Sequence, residues 1–130
     1  MAEAKILVVD DEEIVHIGFE TVLGEEGYDV AFAFSGDEAL VKARGARYDI
    51  VFIDYVLPVM DGVTVCRAIG EVSPATIRIF MTGKVDKNTT AREVDFLAAG
   101  GKVFFLYKPF SRDEILQVVR KALAERKLGV

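Results

Sequence analysis

Four short apolar runs along this chain each end in polar residues. The runs and the residues that follow them are 5–9 before Asp10 and Asp11, 49–53 before Asp54, 77–81 before Thr82 and Gly83, and 103–107 before Lys108 and Pro109. Short runs rich in β-branched and aromatic residues are typical of strands that are buried on both faces. In an open parallel sheet the carboxyl ends of the strands share one edge, where ligands bind. We therefore predict that three carboxylates, a hydroxyl and an ammonium group meet in one crevice.

The first predicted helix carries the single histidine of the chain. Apolar residues recur at helical spacing from Ile14 to Leu23, and Gly24 and Gly27 end the segment. His16 lies one turn into this helix beside acidic neighbours, so we expect it on the solvated face. A phosphodonor histidine normally lies on a helical bundle rather than beside an acceptor site. The sequence therefore disfavours a phosphohistidine role for His16.

Two capping boxes mark the starts of later helices. In the pairs Ser35 with Glu38 and Ser111 with Glu114, the serine is predicted to cap its helix and the glutamate to reach back to the serine amide. Residues 29–33 form a further predicted strand. These segments complete five strands that alternate with five helices, without a linker or a repeat.

The alternation fixes the fold class. Strand-helix units demand a parallel sheet with right-handed crossovers, so an α/β fold is predicted. A five-stranded doubly wound sheet of the flavodoxin-like order 2-1-3-4-5 fits best. This order makes the first and third strands neighbours, and it brings Asp10 and Asp11 next to Asp54. We expect residues 1–130 to form one domain, because 130 residues is a usual single-domain size.

Composition and charge narrow the classes of function. Hydrophobic residues make up 52% of the chain, which argues against disorder. A net charge of −5 and a pI near 4.9 argue against direct nucleic-acid binding. No apolar run approaches the roughly 20 residues of a membrane span, and no secretory signal precedes the first strand. Cys66 is the single cysteine and is interpreted as a small apolar filler. A cytoplasmic location is expected.

The clustered carboxylates predict a metal. Unneutralised carboxylates within a few ångströms repel one another, and a divalent cation is the usual remedy. Mg²⁺ suits an all-oxygen set of carboxylates, a backbone carbonyl, waters and a phosphate oxygen. Helix capping could explain one of Asp10 and Asp11, and a turn could explain Asp54. Neither explains why Thr82 and Lys108 end neighbouring strands.

The combined motifs resemble those of a known family. The motifs are Asp10-Asp11-Glu12, Asp54 with Pro58 and Asp61-Gly62, Thr82-Gly83, and Lys108-Pro109-Phe110. In this order, each at a strand end or in the loop that follows, they resemble the receiver domain of two-component response regulators, including the chemotaxis response regulator. The resemblance runs from Lys5 to about Lys127.

The resemblance implies a role for each residue of the crevice. Asp54 would be the phosphoacceptor and would form an acyl phosphate. Asp11 would bind Mg²⁺ directly and Asp10 through water, with Asp54 and the Val56 carbonyl as further ligands. Three more residues would bind the phosphoryl oxygens, namely Lys108, the Thr82 hydroxyl and the Gly83 amide.

The resemblance also implies how a signal leaves the site. Movement of Thr82 toward the phosphate would let the switch aromatic Phe105 turn inward, which would alter the face formed by the fourth helix, fifth strand and last helix. Phe105 lacks the hydroxyl of the tyrosine that many receivers carry there. Segment 99–103 also departs from the usual approach to the fifth strand. Val56 and Lys84 match the two positions that tune the rate of phosphate loss in the family.

The implied partners are a histidine kinase or phosphotransfer protein and an output protein or output domain, and a homodimer is also compatible with the resemblance. A stand-alone receiver and a receiver cut from a longer regulator fit the length equally well. The alternative is a Mg²⁺-dependent phosphohydrolase of the haloacid dehalogenase-like kind. Such enzymes need a second aspartate two residues after the nucleophile, where this chain has Val56.

Overall fold

The computed structural model describes residues 4–83 and 85–127 as five strands that alternate with five helices. The strands are β1 Lys5–Val9, β2 Asp29–Ala33, β3 Ile50–Asp54, β4 Ile77–Thr82 and β5 Lys102–Tyr107. The helices are α1 Glu13–Glu25, α2 Gly36–Gly45, α3 Gly62–Val72, α4 Thr89–Ala98 and α5 Arg112–Lys127. Every strand pair is parallel and the order is β2-β1-β3-β4-β5. The predicted fold class and strand order are confirmed.

Helices cover both faces of the sheet, and alternate residues of each central strand face opposite layers. In β1, Ile6 and Val8 pack toward α1 and α5, whereas Leu7 and Val9 pack toward α2, α3 and α4. All four side chains are fully buried, which contributes roughly 1.5–3 kcal/mol for each. Within the described residues, no helix is both long enough and apolar enough to cross a membrane.

The phase of α1 corrects one prediction. His16, Phe19 and Leu23 form the buried stripe of this helix, whereas Ile14 is 69% exposed and Ile17 is 50% exposed. The expectation that His16 lies on the solvated face was wrong. Residues three and seven positions apart share one face of a helix, so His16 points the same way as Phe19 and Leu23.

The helix starts follow the predicted caps with one difference. Ser111 and Glu114 form both bonds of a capping box. At α2 the Ser35 hydroxyl accepts the Glu38 amide, but the Glu38 carboxylate accepts the amide of Phe34 instead of that of Ser35. Asp61 caps α3 by accepting the Thr64 amide at 2.9 Å.

Candidate metal and phosphoacceptor site

The sheet brings the polar ends of four strands to one edge. Because β1 lies beside β3, the residues after β1 meet the last residue of β3. A cleft of about 340 Å³ opens there, lined by Asp11, Glu12, Asp54, Val56, Gly83 and Lys108. The predicted convergence of carboxylates and an ammonium group is therefore present.

Lys108 lies at the centre of the charged groups. Its Nζ is 2.6 Å from Asp10 Oδ2, 2.9 Å from Asp54 Oδ2 and 3.2 Å from Glu12 Oε1. Burial alone would lower the pKa of Lys108, but the hydrogen bonds to Asp10 and Asp54 more than offset this and raise the pKa above its ordinary value. The ammonium therefore stays charged, and it neutralises part of the acidic cluster.

Asp10 is held at every polar atom and is fully buried. Its amide donates to the Ala33 carbonyl, and its own carbonyl accepts from His16 Nε2 at 2.6 Å. Its Oδ1 accepts the Glu12 amide at 2.9 Å, and its Oδ2 pairs with Lys108. The buried His16 is therefore part of the support of this site, although sequence reasoning missed it.

Asp54 has a perturbed acidity. Its pKa is raised from 3.8 to about 6, chiefly because burial removes water, and the negative charge of Asp10 raises it further. Hydrogen bonds from Lys108 and from the Val56 amide act in the opposite direction. The carboxylate is therefore mostly ionised at neutral pH, as a nucleophile requires, and it gains a proton under mildly acidic conditions.

The loop after β3 is shaped by a close backbone approach and a strained residue. A Cβ at Gly62 would lie 2.5 Å from the Asp54 carbonyl oxygen, so only glycine fits there. Val59 has a φ of +68°, which costs a β-branched residue about 1–2 kcal/mol. The loop closes when the Gly62 amide donates to the Tyr55 carbonyl. The Asp61-Gly62 pair thus places the start of α3 directly against the backbone of the candidate acceptor.

The remaining predicted site residues differ in their position relative to the cleft. Thr82 is buried at the end of β4, and its carbonyl accepts the Lys108 amide at 2.8 Å. Phe105 does not line the cleft but packs edge-on against Phe80, with ring centroids 5.6 Å apart. Lys84, predicted to tune phosphate loss, lies outside the described residues.

The donor set fits a hard cation. Carboxylate oxygens of Asp10, Asp11, Glu12 and Asp54 all lie within 4.8 Å of one another. Oxygen ligands of this kind suit Mg²⁺. Glu12 was absent from the predicted ligands, although its position directly after Asp10 and Asp11 was the available signal.

Comparisons with known proteins agree with the fold and the motifs. Transcriptional regulatory protein ResD of Bacillus subtilis strain 168 is 40% identical over 124 residues, which are 95% of this chain and 49% of ResD. Chemotaxis protein CheY of the same bacterium is 32% identical over 120 residues, which are 92% of this chain and 97% of CheY. A CheY-like receiver domain protein from Methanospirillum hungatei JF-1 superimposes with a TM-score of 0.89 at 25% identity and covers 98% of both chains.

The family follows from these matches. The sequence model of the response regulator receiver domain matches residues 6–120, and the chain belongs to that family. The predicted resemblance is confirmed. The chain spans about half the length of the transcriptional regulatory proteins that it matches, including ResD.

Proposed function

We propose that residues 1–130 act as one receiver that accepts a phosphoryl group on Asp54. The donor is the phosphohistidine of a histidine kinase or phosphotransfer protein. An Asp54 oxygen attacks phosphorus, the phosphorus–nitrogen bond breaks, and an acyl phosphate forms as the donor ring, protonated on its other nitrogen, leaves as neutral imidazole. The observation that carries the proposal is the buried Asp54 carboxylate at the cleft, 2.9 Å from the Lys108 ammonium.

The other residues of the cleft stabilise the transferred group. Lys108 supplies positive charge where the transition state develops negative charge on the phosphoryl oxygens. The Thr82 hydroxyl and the Gly83 amide bind a further oxygen. Mg²⁺ would be bound directly by Asp11, Asp54 and the Val56 carbonyl, and through water by Asp10. The bound cation would neutralise carboxylates and phosphoryl oxygens together.

Signal output follows from repacking of Phe105. When Thr82 engages the phosphoryl group, Phe105 turns inward and changes the face formed by α4, β5 and α5. An output protein or output domain, or a second copy of the chain, reads that face. The chain acts in the cytoplasm, and its net charge of −5 opposes direct nucleic-acid binding.

A phosphohydrolase of the haloacid dehalogenase-like kind fits the site less well. That chemistry needs an acid two residues after the nucleophile, and Val56 carries no ionisable group. Val56 lines the cleft and is 51% exposed, so the position that would carry this acid holds an apolar side chain.

Acetyl phosphate with Mg²⁺ tests the acceptor. We expect the wild-type chain to gain one phosphoryl group by intact mass, and Asp54→Asn to gain none while its circular dichroism stays native. Asp37→Asn is the matched control, because Asp37 is exposed on α2, away from the cleft. Phosphorylation of Asp54→Asn at the wild-type rate would show that the acceptor lies elsewhere.

A further inference from the structure

A buried cation lies outside the acidic cleft. Arg78, in β4, is only 8% exposed. Its Nη1 donates to the carbonyls of Cys66 at 2.9 Å and Ala99 at 3.3 Å, and its Nε donates to the Thr76 carbonyl at 3.3 Å. Among residues 4–83 and 85–127, no carboxylate forms an ion pair with it. Within these residues, the dipoles of three carbonyls therefore stabilise this charge.

The chain leaves room for this guanidinium at two glycines. A Cβ on Gly70, in α3, would lie 2.1 Å from Arg78 Nη1. A Cβ on Gly100, just after α4, would lie 2.7 Å from the same atom. Gly100 also has a φ of +103°, the left-handed conformation that commonly ends a helix. Arg78 thus fills a space between α3 and the carboxyl end of α4 and binds a carbonyl from each.

The opposite half of α4 is held by groups close to the candidate acceptor. Arg92 pairs with Asp86 at 3.1 Å and lies over the Tyr55 ring, 5.3 Å from its centroid. Tyr55 directly follows Asp54. At the start of α4, the N-cap residue Asn88 makes no side-chain capping bond. The amino-terminal half of α4 therefore contacts the acceptor loop, whereas a carbonyl at its carboxyl end accepts from Arg78, which does not line the cleft.

We propose that Arg78 is a positioning residue that makes the carboxyl end of α4 a fixed pivot. Phosphorylation then displaces α4 mainly at its amino-terminal half, around Arg92. The carbonyls bound by Arg78 do not change charge when Asp54 is modified. Tyr55, in contrast, is the next residue after Asp54, so a change at Asp54 reaches α4 through the contact of Tyr55 with Arg92. The displacement rests on the proposed function, since it needs a phosphoryl group on Asp54. The anchor, by which we mean the hydrogen bonds that hold Arg78 to α3 and to the carboxyl end of α4, does not depend on that function.

Residue-resolved amide spectra test the pivot. Beryllofluoride with Mg²⁺ serves as the phosphoryl mimic. We expect the largest amide shift changes of this region at residues 85–92 and much smaller ones at 98–101. In Arg78→Met, changes of similar size should extend through 98–101, and Arg78→Lys should restore part of the contrast. Equal changes along the whole of α4 in the wild-type chain would overturn the pivot.

Hydrogen exchange of the ligand-free protein tests the anchor separately. The amides of Ala99, Gly100 and Gly101 donate within the end of α4, so their exchange reports its opening. Gly70→Ala forces the guanidinium away, and we expect several-fold faster exchange at these three amides. Gly18→Ala is the matched control, since a Cβ on this helical glycine meets nothing within 4 Å.

The outcomes separate the two proposals. Unchanged exchange in Gly70→Ala would overturn the anchor whatever the phosphoryl chemistry. If beryllofluoride changes no amide near Asp54, the proposed function fails and with it the pivoting response, whereas faster exchange in Gly70→Ala still supports the anchor. Because alanine favours a helix, Gly70→Ala remains informative even if Arg78→Met does not fold.

Discussion

Lys108, which is partly buried, and Arg78, which is buried, are two cations with opposite surroundings. Lys108 has three carboxylates within 3.2 Å, and these groups can take up protons or hold a metal. Arg78 donates to three backbone carbonyls, whose dipoles are fixed, and within the described residues no carboxylate pairs with it. The first environment changes with pH, cation and phosphoryl group, and the second does not. Comparing the two cations therefore distinguishes the part of the fold that changes with pH, Mg²⁺ and phosphorylation from the part that does not.

Removal of Lys108 should have the largest effect. In Lys108→Met, Asp10 and Asp54 are left as buried like charges, and we expect a loss of about 3 kcal/mol in the free energy of unfolding at pH 7. A carboxyl whose pKa is raised in the folded state destabilises the fold above that pKa and ceases to do so when protonated. The loss should therefore shrink as the pH falls to 5. Urea unfolding at both pH values, with and without Mg²⁺, measures this, and Mg²⁺ should recover much of the loss.

Removal of Arg78 should lower the free energy of unfolding by less, and this loss should not depend on pH or Mg²⁺. Arg78→Met leaves carbonyls without their donors but removes an unpaired buried charge, so we expect a loss of about 1–2 kcal/mol. The same urea series should give equal losses at pH 5 and pH 7, with no recovery by Mg²⁺. Arg67→Met, an exposed residue of α3, controls for loss of an arginine. A Mg²⁺-dependent loss in Arg78→Met would break the contrast between the two cations.

Within the acidic cluster, the carboxylates should be unequal. We expect Asp11→Ala to weaken Mg²⁺ binding roughly 10–100-fold, because this side chain is assigned directly to the metal. Glu12→Ala should weaken binding much less, because Glu12 is 57% exposed and its nearest partner is Lys108. Calorimetric titrations compare the two variants. Equal losses would place Glu12 in the ligand set beside Asp11.

The acidity of Asp54 should make metal binding depend on pH. With a pKa of about 6, the carboxyl gains a proton below that pH, and the proton competes with the cation. We expect Mg²⁺ affinity to fall up to about tenfold per pH unit between pH 6 and pH 5 and to be nearly flat from pH 7 to 8. In Asp54→Asn the slope between pH 6 and 5 should largely disappear. A slope that survives this substitution would point to another titrating ligand.

The smallest expected effect concerns the lifetime of the acyl phosphate. Val56 lines the cleft and offers no side-chain hydrogen bond to orient a water molecule. We expect a half-life of minutes or longer for the wild-type chain and a several-fold shorter one for Val56→Asn. Loss of phosphate followed by intact mass or by ³¹P spectra gives both rates. A wild-type half-life of seconds, or an unchanged rate in Val56→Asn, would contradict this role.

The sequence predicted the fold and most of the cleft because both depend on strand ends. Asp10, Asp54 and Lys108 each follow or end an apolar run, and parallel pairing carries such residues to one edge. The prediction for His16 was wrong because its acidic neighbours were taken to mark the solvated face of the helix, whereas the buried face of α1 includes this histidine. Arg78 gave no local signal at all. The carbonyls that it binds in α3 and at the end of α4 lie 12 and 21 residues from it along the chain.

The irregular pairing of β5 has a consequence for self-association. β5 is an edge strand, and its register against β4 shifts from Ile79 opposite Lys102 to Met81 opposite Leu106. A regular edge presents an unbroken row of amides and carbonyls on which a strand of another molecule can add. The shift interrupts that row close to Phe105. The chain can therefore present β5 to a partner through its side chains while offering a poor template for uncontrolled strand addition.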